Sequence, residues 1–107
     1  MLVMSTSTGG LIDLWEQTHR GRNAVCRETQ MVEDRLGQIQ RDMSPLFQDL
    51  IQFPGPHSRG SGLELGLLLA EEASLVSCHN LLVATRVALE VLGEELRLCL
   101  MAVFLPS

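Results

Sequence analysis

The residues able to do chemistry in this 107-residue chain are few, and their spacing suits none of the familiar mechanisms. Glu16 and His19 stand three apart, the Glu-x-x-His spacing that puts two metal ligands on one helix face in di-iron bundles. Such a site needs a second copy of the motif and two further glutamates, and neither His57 nor His79 has a carboxylate three residues before it. Cys26, Cys78 and Cys99, with His79 beside Cys78, are the other candidate ligands. Adjacent helical residues point in different directions, and the spacing matches no zinc pattern. The expectation for the cysteines is a buried, structural role.

Nucleophilic chemistry fares no better. Gly60-Ser61-Gly62 lacks the outer frame of a nucleophile elbow and the strand that would precede it. His57 and Ser58 are neighbours in a Pro/Gly-rich stretch, and adjacency in sequence does not make a triad. The glycines at 60, 62 and 66 miss the dinucleotide fingerprint by one position. There is no lysine for a P-loop or a Schiff base, and no tyrosine for acid–base work. The reading is therefore no enzyme, no catalytic residue, no metal and no cofactor.

Charge excludes another class. Eight arginines against thirteen carboxylates leave a net charge of −5 and little material for a phosphate-binding patch, so no nucleic-acid partner is expected. Five of the arginines fall between Arg20 and Arg41, but Glu28, Glu33, Asp34 and Asp42 are interleaved with them, as on a solvated helix face. Hydrophobic residues make up 46% of the chain, which argues against disorder. Three cysteines are an odd count, and the start MLVMSTSTGG has no basic region and too short an apolar run for a signal peptide. An intracellular place, cytoplasmic or nuclear, is expected. The most apolar stretch, Leu96 to Leu105, is about ten residues where a membrane span needs about 20. No transmembrane span is expected; peripheral membrane contact is a secondary reading.

The elements that position these residues divide at one place. PGPHSRGSG, residues 54–62, cannot sustain a helix and reads as a connector. It is flanked by an amphipathic helical segment over 10–53 and a strongly apolar helical segment over 63–105, with residues 1–9 as a flexible arm. In the first segment, steps of four and three from Leu11 visit Trp15, Thr18, Arg22, Val25, Thr29, Val32, Leu36, Ile39, Met43, Leu46 and Leu50. This is a heptad-like seam. Thr18, Gly21 and Arg22 predict a break or a solvent-facing stretch there. Ser44-Pro45 predicts a kink, because serine caps helices and proline favours their first turn; the pair also matches a proline-directed phosphorylation site.

In the second segment Leu68, Leu75, Leu82, Leu89, Leu96 and Val103 recur every seven residues. The row Leu65, Glu72, His79, Arg86, Gly93 and Leu100 is half polar and is expected at the edge of the seam, with a break at Gly93.

The expected fold is all-α: an antiparallel helical hairpin with coiled-coil-like seams, completed by partner helices. A helix of about 30 residues is roughly 45 Å long, and one sister helix cannot cover a second segment that is apolar most of the way round. The competing layout divides the chain into four or five short helices closing into a compact bundle. The expected function is a non-enzymatic adaptor or structural subunit binding other α-helical proteins or itself. The interface candidates are Trp15, Val25, Val32, Leu36, Ile39, Leu75, Leu82, Leu89, Leu96, Leu100 and Val103. The alternatives are a bundle that binds a hydrophobic ligand or membrane surface through Leu98–Leu105, and a homodimeric regulator.

Overall fold

The structure, a computed structural model, describes residues 8–104. The fold is all-α, an antiparallel helical hairpin. Helix α1 spans Thr8–Gln52, a short 3-10 turn spans Pro56–Ser58, and helix α2 spans Arg59–Phe104. The described residues include no strand. Of the expected arm, residues 1–7 lie outside the described residues, and Thr8 and Gly9 open α1.

The chain forms two compact units, each built from one segment of either helix. The turn unit comprises Thr29–Leu81; the terminal unit comprises Met1–Glu28 with Leu82–Ser107.

In the turn unit the core is Ile39, Met43 and Leu65, with Leu46, Leu50, Leu68 and Leu75 packed against it. Ile39 is fully buried, and burying such a side chain stabilises the fold by roughly 1.5–3 kcal/mol. These are the seam positions of both segments, so the 3.6-residue period delivers one apolar stripe from each helix to one contact. Polar cross-links flank it. Arg35 donates from Nε and Nη2 to the two carboxylate oxygens of Glu71 at 2.6 and 2.7 Å, and His79 Nε2 lies 2.9 Å from Glu33. The Arg35 hydrogen bonds hold the Glu71 carboxyl below its ordinary pKa.

The reversal is local chemistry. The Phe53 amide still bonds to the Asp49 carbonyl at 2.8 Å, but Pro54 cannot extend the ladder. Gly55 adopts φ 107°, a left-handed conformation that favours glycine. Pro56 then opens the 3-10 turn, and the Ser58 amide bonds to the Gly55 carbonyl at 3.0 Å. Ser61 donates to Asp49, tying the first turn of α2 to the end of α1. The connector is therefore shorter than expected: residues 59–62 are helical, since the first turn of a helix has spare amides anyway and tolerates their glycines.

The kink expected at 44–45 does not end the helix. α1 runs through Pro45. Its ring is on the exposed side, while Met43 and Leu46 are held in the core. Packing thus carries the helix through a residue that costs a helix interior about 3 kcal/mol.

In the terminal unit the expected breaks at residues 20–23 and at Gly93 are also absent. Thr18 is buried, its hydroxyl donates to the Leu14 carbonyl at 2.8 Å, and its methyl group serves as the apolar seam contact. A Cβ at Gly93 would stand 3.8 Å from that methyl, and one at Gly21 3.7 Å from Leu89. The small residues are the places where the opposite helix sends a side chain. Leu96 is buried, and Val25, Leu82 and Leu100 are half-buried.

The half-polar row of α2 is buried at one end and half-buried along the rest. Leu65 is buried, and Glu72 and His79 of the turn unit and Arg86, Gly93 and Leu100 of the terminal unit are half-buried. The three cysteines are exposed free thiols, not the buried side chains expected, because their positions flank the seam.

Candidate functional site

Most of the apolar residues singled out by spacing are used within the chain. In the turn unit Val32 and Ile39 are buried, and Leu36 and Leu75 are half-buried, Leu75 against the core. In the terminal unit Val25, Leu82 and Leu89 are half-buried and Leu96 is buried. Three candidates differ. Trp15 is about one-third exposed (36%), Val103 is exposed, and Leu100 shows part of its surface in a groove.

That groove, about 400 Å³, is lined by Ile12, Trp15, Arg97, Leu100, Met101 and Phe104, all in the terminal unit. Spacing explains it. Ile12 and Trp15 are three apart on α1; Arg97, Leu100, Met101 and Phe104 are three or four apart on α2. Each set falls on one helix face. Arg97 is the sole charged lining residue, and its charge is met at home. Nε and Nη2 donate to Glu94 at 2.9 and 2.6 Å, and Nη1 reaches Met101 Sδ at 2.8 Å. The same hydrogen bonds hold the Glu94 carboxyl below its usual range.

Trp15 also borders a second, more polar groove of about 300 Å³, with Thr18, His19, Arg22, Leu89, Glu90, Gly93, Glu94 and Arg97. The His19 ring stacks on Trp15 with centroids 5.7 Å apart and planes 11° apart. Glu16, its partner in the Glu-x-x-His spacing, instead pairs with Arg20 at 3.7 Å. Among the described residues no group of three or more His, Cys, Asp or Glu side chains converges as a metal set. Glu94, committed to Arg97, is a poor proton acceptor. The arrangement offers contact chemistry: an apolar trough with a tryptophan on its wall and its one lining charge, Arg97, paired with Glu94.

Outward apolar side chains extend well beyond this trough. The turn unit exposes Leu63 and Leu67 on α2 and Phe47 and Ile51 on α1, each pair at a four-residue spacing. The terminal unit exposes Val87, Val91 and Leu98 on α2. The interface candidates chosen by heptad spacing left out Ile12, Met101 and Phe104, the last two of which fall in the Leu98–Leu105 segment of the alternative reading, and favoured the seam leucines over Leu67 and Val91. No sequence signal separates these sets, because α2 carries apolar residues in every direction. Among the described residues no helix is long and apolar enough to cross a membrane.

Comparison with known protein families, with curated proteins and with solved structures finds no match to this chain.

Proposed function

We propose that this chain is a non-enzymatic helical adaptor or structural subunit that binds partner helices through the apolar side chains on the outside of its hairpin. The observation that carries the reading is the set of large apolar residues left exposed after the seam is filled. Leu67 is 73% exposed and Ile51 78%. Isolated exposed leucines are ordinary, but repeated ones at helical spacing form patches, and contiguous apolar patches mark interaction surfaces. The groove beside Trp15 supports the same reading, since tryptophan in an apolar recess is a common binding hot spot. A partner helix would lay residues at three- and four-residue spacing into such a trough. Three exposed free thiols suit a reducing, intracellular assembly.

The test is a selection of amphipathic helical peptides on the immobilised chain. Enrichment of leucines at i, i+3, i+4 and i+7, with binding lost on Met101→Glu, supports the reading. Enrichment of no apolar helical pattern overturns it.

A further inference from the structure

We propose that the polar groove of the terminal unit is a binding site for a carboxylate carried on a short apolar stem, with the Arg22 guanidinium as its counter-charge. The groove, about 300 Å³, takes its charged lining from Arg22 on α1 and from Glu90, Glu94 and Arg97 on α2. Three of these four are already matched. Glu94 Oε1 lies 2.6 Å from Arg97 Nη2. Glu90 Oε1 lies 3.5 Å from the Nε of Arg86, one turn earlier on α2. Arg22 is the exception. Among the described residues no carboxylate lies within ion-pair distance of it, and its Nε is shut off from solvent without a hydrogen-bond partner. Arg22, Arg86 and Arg97 against Glu90 and Glu94 leave one positive charge, and it sits on a half-buried side chain. A partly buried charge without a counter-ion is costly to the fold, and an incoming anion supplies the missing partner.

The rest of the lining says what the anion is attached to. Trp15, Leu89 and Gly93 give the groove apolar wall, and the His19 ring lies nearly parallel to Trp15 beside it. A bare inorganic anion would leave that wall uncovered. A carboxylate on a short hydrocarbon stem covers it and still presents two oxygens in one plane, the shape a guanidinium fork matches. With Nε enclosed, the contact is end-on, through Nη1 and Nη2. Two sources carry this chemistry: a free short-chain carboxylic acid, and the glutamate side chain of a partner. The first goes beyond the helix-binding reading above and stands without it. The second rests on that reading and adds that the partner helix carries a glutamate.

Trp15 is the only tryptophan, so its indole N–H gives a single NMR cross-peak that needs no assignment. The test follows that peak in the isotope-labelled full chain. One arm adds sodium butanoate, against sodium chloride at matched ionic strength. The other adds an amphipathic helical peptide bearing one glutamate, against the same peptide with glutamine. The expected result is a saturable shift with butanoate and none with chloride. Arg22→Gln should weaken binding about tenfold, the worth of a charge-assisted contact. Arg27→Gln, at an exposed position on the same helix, should leave it unchanged. Glu90→Gln removes a negative charge from the groove and should tighten binding about threefold. If circular dichroism shows that Arg22→Gln has lost helicity, the exposed Glu90 position decides: tightening supports the site, and no change overturns it. The proposal is also overturned if neither butanoate nor the glutamate peptide gives a saturable shift, if a folded Arg22→Gln binds as the parent does, or if Arg27→Gln weakens binding as much. Binding of butanoate with no preference for the glutamate peptide assigns the site to a free acid. An Arg22-dependent preference for the glutamate peptide assigns it to a partner's side chain. Failure of the helix-binding reading is separate, since it shows as loss of all peptide binding while the butanoate shift persists.

Discussion

Arg35 and Glu71, 36 positions apart in sequence, meet through two parallel hydrogen bonds of 2.6 and 2.7 Å across the two helices of the turn unit. A bidentate arginine–carboxylate contact has a fixed geometry, so it pins register as well as adding attraction. The Glu71 carboxyl is held below its ordinary pKa by these hydrogen bonds. A carboxyl whose pKa is depressed on folding stabilises the fold above its unfolded pKa and loses that contribution as pH falls through the folded value. Glu71→Gln should therefore lower the thermal midpoint slightly at neutral pH, because both side chains are partly exposed and solvent screens the pair. The difference between variant and parent should vanish as the solution is acidified below the ordinary glutamate range. Melting curves by circular dichroism across pH check this; a difference that grows in acid refutes it.

Ile39 is the centre of the small core, with no exposed surface. Ile39→Ala leaves a cavity between the helices and should destabilise by about 2–5 kcal/mol. Leu67→Ala, on the outside of the same unit, should change stability by no more than about 0.5 kcal/mol. Urea unfolding of both variants reads the two values. Similar losses at the two sites would mean that Leu67 is core.

Two helix-breaking residues sit inside continuous helices and should be replaceable at a gain. A Cβ at Gly93 meets Thr18 Cγ2 at 3.8 Å, ordinary van der Waals contact, so Gly93→Ala should stabilise by about 1 kcal/mol. Pro45→Ala restores a backbone donor in mid-helix on the exposed side and should stabilise by about 1–3 kcal/mol. A rise in thermal midpoint is the expected sign for each. A fall for Gly93→Ala would show that the helices approach more closely there than 3.8 Å.

Cys26, Cys78 and Cys99 are exposed and free. In dilute native protein all three should react promptly with a thiol reagent, without denaturant. Reaction of all three only after unfolding would place them inside.

Much of this architecture was legible in the residues themselves. Steps of four and three from Leu11 to Leu50 trace the inner stripe of α1, because on a helix only residues at that spacing share a face. Thr18 and Thr29 are polar by type and yet are buried members of the stripe; a threonine methyl packs like an aliphatic group, and Thr18 satisfies its hydroxyl on its own helix. The connector was legible too, through Pro54, Gly55 and Pro56, since neither proline can donate to a backbone ladder.

Tertiary structure decided the rest. Gly21, Pro45 and Gly93 weaken a helix by about 1–3 kcal/mol each as isolated residues, and only the opposite helix, by burying Met43, Leu46 and Leu96 nearby, outweighs that local cost. The choice of inner face on α2 was equally out of reach of spacing. Leu68, Leu75, Leu82 and Leu89 are no more apolar than Leu67, Leu81, Val91 and Leu98. What separates them is the position of α1, whose single apolar stripe can cover only one side of a helix that is apolar on several. The sequence by itself determined two helices and a turn. The packing of one helix on the other determined which leucines became core and which were left outward.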